Sequence, residues 1–144
     1  MKARTVLGVI ITMFVLVQAV NAQGKNDIQK YFNDTACKVK VTDDPVQKRE
    51  ILNKSLQTMS QALERVESFG LVSQDERAGI DRLKTTLKEK QDELKGLNGF
   101  ERVADTQLND FSDYVVQDME QAARSVTITY LSAILIVILL VLIL

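Results

Sequence analysis

The sequence predicts an all-α protein: an antiparallel helical hairpin plus a third helix continuous with a C-terminal transmembrane helix. Three observations predict it. Apolar residues recur at steps of 4 and 3 through the polar middle of the chain, helix start and stop signals bracket each periodic stretch, and residues 126–144 carry no charge. The hairpin and third helix together make a small three-helix bundle.

The first helix of the hairpin starts at Asp43-Asp44-Pro45-Val46-Gln47, which holds the only proline of the chain. Aspartate at the N-cap and proline at the first helical position both favour a helix start, because proline lacks an N–H that would be unpaired there anyway. Leu52, Leu56, Met59, Leu63 and Val66 follow with coiled-coil spacing. Phe69-Gly70 ends the helix, glycine being free to take a left-handed cap.

Ser73-Gln74-Asp75-Glu76 is a capping box opening the next helix. Ile80, Leu83, Leu87, Leu94 and Leu97 form its stripe, Lys90 fills the missing step, and Gly96 and Gly99 close it. So short a loop between two similar helices folds them back antiparallel. Counting from the loop centre sets Leu63 against Ile80, Leu56 against Leu87, Lys54 across from Glu89, Arg49 near Glu93 and Lys90 opposite Leu52. Lys90 is expected to lay its stem on the seam and extend its ammonium to water; the sharper alternative is that it marks a partner site. A third helix begins near Asp105 or Thr106, with Leu108, Phe111, Val115, Met119 and Ala122 on one face. No breaker separates it from the uncharged run, and its stripe is expected to close on the hairpin.

Residues 23–42 read as an irregular segment with a short amphipathic helix at Ile28, Tyr31 and Phe32. Lys38-Val39-Lys40-Val41-Thr42 alternates like a brief extended piece, but one strand without a partner is not a sheet.

The ends set the topology. Lys2 and Arg4, the apolar run Val6–Val20 and the small residues Val20-Asn21-Ala22 make a secretory signal peptide over residues 1–22; the alternative is an uncleaved anchor. Residues 43–124 then form an extracytoplasmic bundle, and 125–144 a single-pass anchor. The 19 uncharged residues 126–144 rise about 28 Å as a helix, close to the hydrocarbon thickness of about 30 Å. A glycolipid-anchor signal fits poorly, because only Arg124 and Ser125 separate Ala122-Ala123 from the apolar run. Two glycosylation sequons, Asn33-Asp34-Thr35 and Asn53-Lys54-Ser55, are patterns common by chance. Cys37 is the single cysteine, so an internal disulfide is impossible; a buried thiol is the plain reading, with a free, bridged or lipid-modified one as alternatives.

Charge and residue types bound the function. Without Lys2 and Arg4, 16 of the 18 basic residues remain against 19 acidic ones. That balance offers no footprint for nucleic acid. Residues 101–124 hold six acids against two arginines, so anionic headgroups repel the stretch nearest the span. The chain has no histidine, which removes the usual general base and the usual zinc and haem ligands. No glycine-rich phosphate loop or nucleophile elbow occurs, so no catalytic, cofactor-binding or metal site is expected. The expectation is a non-catalytic, membrane-anchored module, extracytoplasmic (periplasmic or extracellular), meeting lipid and an unidentified protein partner or another copy of itself. The alternatives are a small accessory subunit of a larger membrane complex, or an enzyme working with carboxylates alone. Ser125, Thr129 and Ala133 recur at steps of four and form a possible self-association face, where small residues let backbones approach. Plain lipid contact is the competing account of that face.

Overall fold

The computed structural model describes residues 24–70 and 72–124, and every regular element there is helical. Four helices form: α1 (Gly24–Val41), α2 (Pro45–Ser68), α3 (Gln74–Lys95) and α4 (Leu108–Arg124), the last preceded by a 3-10 turn, Asp105–Gln107. The bundle therefore has four helices rather than three. Each packs on two neighbours in a closed ring, α1 on α2, α2 on α3, α3 on α4 and α4 on α1. Chain direction alternates up-down-up-down, as the short α1–α2 and α2–α3 loops require.

The unexpected helix is α1. Residues 23–42 looked irregular because valine and lysine alternate at its end. With no neighbouring strand, the backbone hydrogen bonds close internally as a helix. Ile28, Phe32, Ala36 and Val39 then enter the core at steps of four and three, while Val41 is left 81% exposed. Lys38 and Lys40 sit in the last turn, where the helix dipole favours cations. This helix also changes the packing of α4, whose stripe closes on α1 as well as on α3. The buried alanine of that stripe is Ala123 rather than Ala122.

The hairpin signals hold. Asp44 caps α2 by accepting from Val46 N at 3.0 Å, with Pro45 at its first position. In the capping box Ser73 N donates to Glu76 Oε2 at 2.9 Å and Glu76 N donates to Ser73 Oγ at 3.3 Å. At Gly96 φ is +71°, and an added Cβ would lie 2.8 Å from the Arg102 backbone nitrogen. Only glycine both takes that conformation and leaves the following loop room to pass. Leu97, expected on the α3 stripe, falls beyond this cap and is exposed.

Leu52, Leu56, Met59, Leu63, Val66, Ile80, Leu83, Leu87 and Leu94 share one core with the α1 and α4 residues. Arg49, expected near Glu93, reaches the neighbouring carbonyl: Nη1 donates to Leu94 O at 2.9 Å, and Nη2 donates to Val103 O and Asp105 Oδ1 at 2.7 Å. It thereby ties the α3–α4 loop to α2. Lys54 and Glu89 both stand exposed, and an ion pair between α2 and α3 forms at Lys84 and Glu67, 2.8 Å apart.

Among the described residues no helix is long and apolar enough to cross a membrane. The signal peptide, the span and the self-association face Ser125, Thr129 and Ala133 lie outside the described residues.

Candidate interaction surface and the buried lysine

Because the helices alternate, the end of α1, the start of α2, the end of α3 and the start of α4 share one end of the bundle. Four apolar side chains are exposed on it. Val41 and Val46 (81% and 72% exposed) flank the α1–α2 loop, and Leu97 and Phe100 lie in the loop after α3. Each has a local cause. Val41 is the last residue of α1, turned off the stripe that buries Val39, and Val46 lies one residue inside the Pro45 start, before the α2 stripe begins at Leu52. Leu97 and Phe100 are carried outward by the left-handed turns at Gly96, Asn98 and Gly99. Asp43, Asp44, Lys95, Glu101 and Arg102 are exposed in the same stretches of chain, so this end carries apolar side chains together with charges of both signs. Single exposed apolar residues are ordinary, whereas a contiguous apolar patch marks a surface for contact.

The second notable feature is Lys90, whose side chain is only 2% exposed. Its ammonium does not reach water as expected. Nζ donates to Glu93 Oε1 at 2.9 Å, pairs with Asp118 across the α3–α4 seam, and lies 3.5 Å from the Tyr114 ring centroid. Burial pulls the Lys90 pKa down, but the hydrogen bonds to Asp118, Glu93 and Tyr114 and the Glu93 charge outweigh it, so the net direction is upward. Lys90 is held as a cation, which suits it to fixing a helix register and not to acting as a nucleophile or base. Beside it, Arg82, Thr86, Glu89, Asp118, Gln121 and Ala122 line a shallow open groove.

A polar strip joins α1 to α2. Tyr31 Oη donates to Ser55 O at 3.0 Å, and the buried Thr35 hydroxyl donates to Tyr31 O at 3.0 Å while lying 3.1 Å from Ser55 Oγ. The hydroxyls of both sequons are thus engaged in one helix–helix contact. Asn33 is exposed on α1, whereas Asn53 is part-buried on α2 and its Oδ1 accepts no hydrogen bond.

Cys37, expected to be buried, is exposed on the outer face of α1, one position past buried Ala36. No three His, Cys, Asp or Glu side chains among the described residues are grouped to hold a metal ion. Sequence reasoning missed the tip, since nothing short of the four-helix topology brings Val41 and Val46 to the end that carries Leu97 and Phe100. No family model, curated protein or solved structure matches the chain.

Proposed function

We propose that this chain is a membrane-anchored, extracytoplasmic helical module that binds other proteins through the apolar tip of its bundle and carries out no chemistry itself. The observation that carries the reading is the exposure of Val41, Val46, Leu97 and Phe100 at one end. The chain leaves the opposite end, from Arg124, into the uncharged run 126–144. A signal peptide ahead of α1 and a span after α4 would hold the tip away from the lipid and toward partners. The fixed cation at Lys90 is consumed by its own carboxylates, which supports a structural role for the charged seam.

Cys37 offers a direct test of placement, being the single cysteine and exposed. A membrane-impermeant maleimide should label it on intact cells or sealed outside-out vesicles. Labelling that appears only after lysis overturns the extracytoplasmic placement. The tip is tested by replacing Val41, Val46, Leu97 and Phe100 together with serine in the full chain. Exposed positions of this kind change stability by about 0.5 kcal/mol or less each, so the fold should persist by circular dichroism. Proteins recovered with the wild-type chain from gently solubilised membranes should be lost from the variant. An unchanged set of partners removes the tip from the binding surface.

A further inference from the structure

Asn98-Gly99 is the only asparagine–glycine pair of the chain. Asn26, Asn33, Asn53 and Asn109 lie inside helices, each followed by aspartate or lysine. Asn98 and Gly99 instead form the centre of a tight turn, Leu97 to Phe100, closed by Phe100 N donating to Leu97 O at 3.1 Å. There φ is +53° at Asn98 and +87° at Gly99. Positive φ at both central residues is the type I′ turn. The plain role of the pair is to make that turn, since asparagine and glycine are the residues that tolerate it.

Their chemistry goes further. Both residues are exposed. Glycine has no side chain to shield its nitrogen, and a Cβ built on Gly99 meets nothing within 4 Å, so the space beside this peptide is open. Among the described residues the Gly99 N–H donates no hydrogen bond. Its nitrogen is therefore free to attack the side-chain carbonyl of Asn98. The new N–Cγ bond closes a succinimide ring, and the Cγ–Nδ2 bond breaks. The proton of Gly99 N passes to water, and the departing nitrogen takes one up and leaves as ammonia. Water then opens the ring at one carbonyl or the other, giving aspartate or isoaspartate.

The product changes a contact that the amide makes. Asn98 Nδ2 donates to Asp92 Oδ2 at 2.9 Å, and Lys88 Nζ meets the same oxygen at 3.1 Å. The amide thus ties the turn to the last stretch of α3, and it is the first reason that the Asp92 carboxyl is held below its usual pKa. Aspartate at position 98 turns this donor into an anion facing an anion. Isoaspartate also adds a methylene to the main chain within the turn. We propose that Asn98-Gly99 is a self-modifying site, converting spontaneously with water to aspartate and isoaspartate, and that the new carboxylate detaches the turn from α3. Leu97 and Phe100 flank the pair, so the modification alters this end of the bundle as the chain ages. It depends neither on where the chain resides nor on what that end binds.

The full chain is held in detergent at neutral pH and physiological temperature for days, then cleaved with trypsin at mildly acidic pH. The Gly96–Arg102 peptide contains one asparagine. It should show the mass of an amide become an acid, with isoaspartate in excess. The rate should lie within an order of magnitude of that of the same free peptide, while the peptides carrying Asn33, Asn53 and Asn109 stay unchanged. A segment that remains intact while the free peptide converts means that the fold protects the bond, and overturns the site. The full-length Asn98→Asp variant tests the release. Its helicity by circular dichroism should match wild type, and its amide hydrogen exchange across residues 96–102 should be severalfold faster. Exchange equal to wild type overturns the detachment of the turn.

Discussion

Replacing Glu93 and Asp118 together with leucine should destabilise the bundle by about 3–5 kcal/mol, because it strands a buried ammonium. Lys90 is 2% exposed and its two carboxylate partners are 21% and 28% exposed. The acids can recover water when the lysine is removed; the lysine cannot recover water when the acids are removed. The cost is therefore asymmetric. Adding Lys90→Met to the double variant should restore stability to within about 1 kcal/mol of wild type, since a methionine of similar length fills the seam without a charge. Urea midpoints followed by circular dichroism measure both differences. If the double and triple variants have equal midpoints, the Lys90 charge is not confined by the fold.

Lys90 is one of several shifted groups that together set the direction of the pH response. Lys90 and Lys84 are raised above the usual lysine value. At Lys84 the hydrogen bond to Glu67 is the largest cause. Tyr31 is raised by burial, against hydrogen bonds to Ser55 and Thr58. Groups raised in the fold stabilise it fully below their unfolded values, about 10 for tyrosine and 10.4 for lysine, and lose that contribution as pH climbs through the folded values. On the acid side Asp92, bonded by Asn98 and Lys88, and Asp105, bonded by Arg49, are lowered. Their contribution is present above about pH 3.9 and fades as pH falls through the folded values. The melting temperature should be level through the neutral range and fall above about pH 10. The Lys90→Met, Glu93→Leu, Asp118→Leu variant should soften the alkaline fall alone. A variant curve parallel to wild type would place the alkaline loss elsewhere.

The hairpin was legible because its signals are local. Asp44-Pro45 and Ser73 to Glu76 act through atoms within three residues of one another, so no tertiary contact was needed to read them. The leucine stripes were legible for the same reason. Lys90 was not, because what keeps its ammonium from water is Asp118 and Tyr114, 28 and 24 residues away on a helix whose rotation the sequence does not announce. Lysine on an apolar stripe ordinarily reaches solvent along its own helix; here α4 closes over that exit. Residues 38–42 misled for a different reason. Alternation of valine and lysine is a two-residue pattern that a strand and the last turn of a helix satisfy equally. The choice fell to burial of Val39 beside Phe32, which is a property of the assembled core. The tip was invisible for a related reason. Its members lie far apart in sequence, and only the fourth helix brings all of them to one end.

Substituting Leu56 with aspartate should abolish the cooperative fold. Leu56 is fully buried, and Leu52, Met59, Leu63 and Leu87 share its core cluster. A carboxylate there either pays desolvation without a partner or takes up a proton well above its usual pKa; both outcomes exceed about 4 kcal/mol in a tightly packed site. Domains of this size have total stabilities of about 5–15 kcal/mol, so that loss takes most or all of it. Leu56→Met changes shape but neither volume nor polarity by much and should cost under about 1.5 kcal/mol. The two variants together separate buried charge from disturbed packing. The aspartate variant should lose its cooperative thermal transition by circular dichroism, while the methionine variant keeps one within a few degrees of wild type. A cooperative transition in the aspartate variant near the wild-type temperature would mean that position 56 reaches water, and would move the centre of the bundle away from the α2–α3 seam.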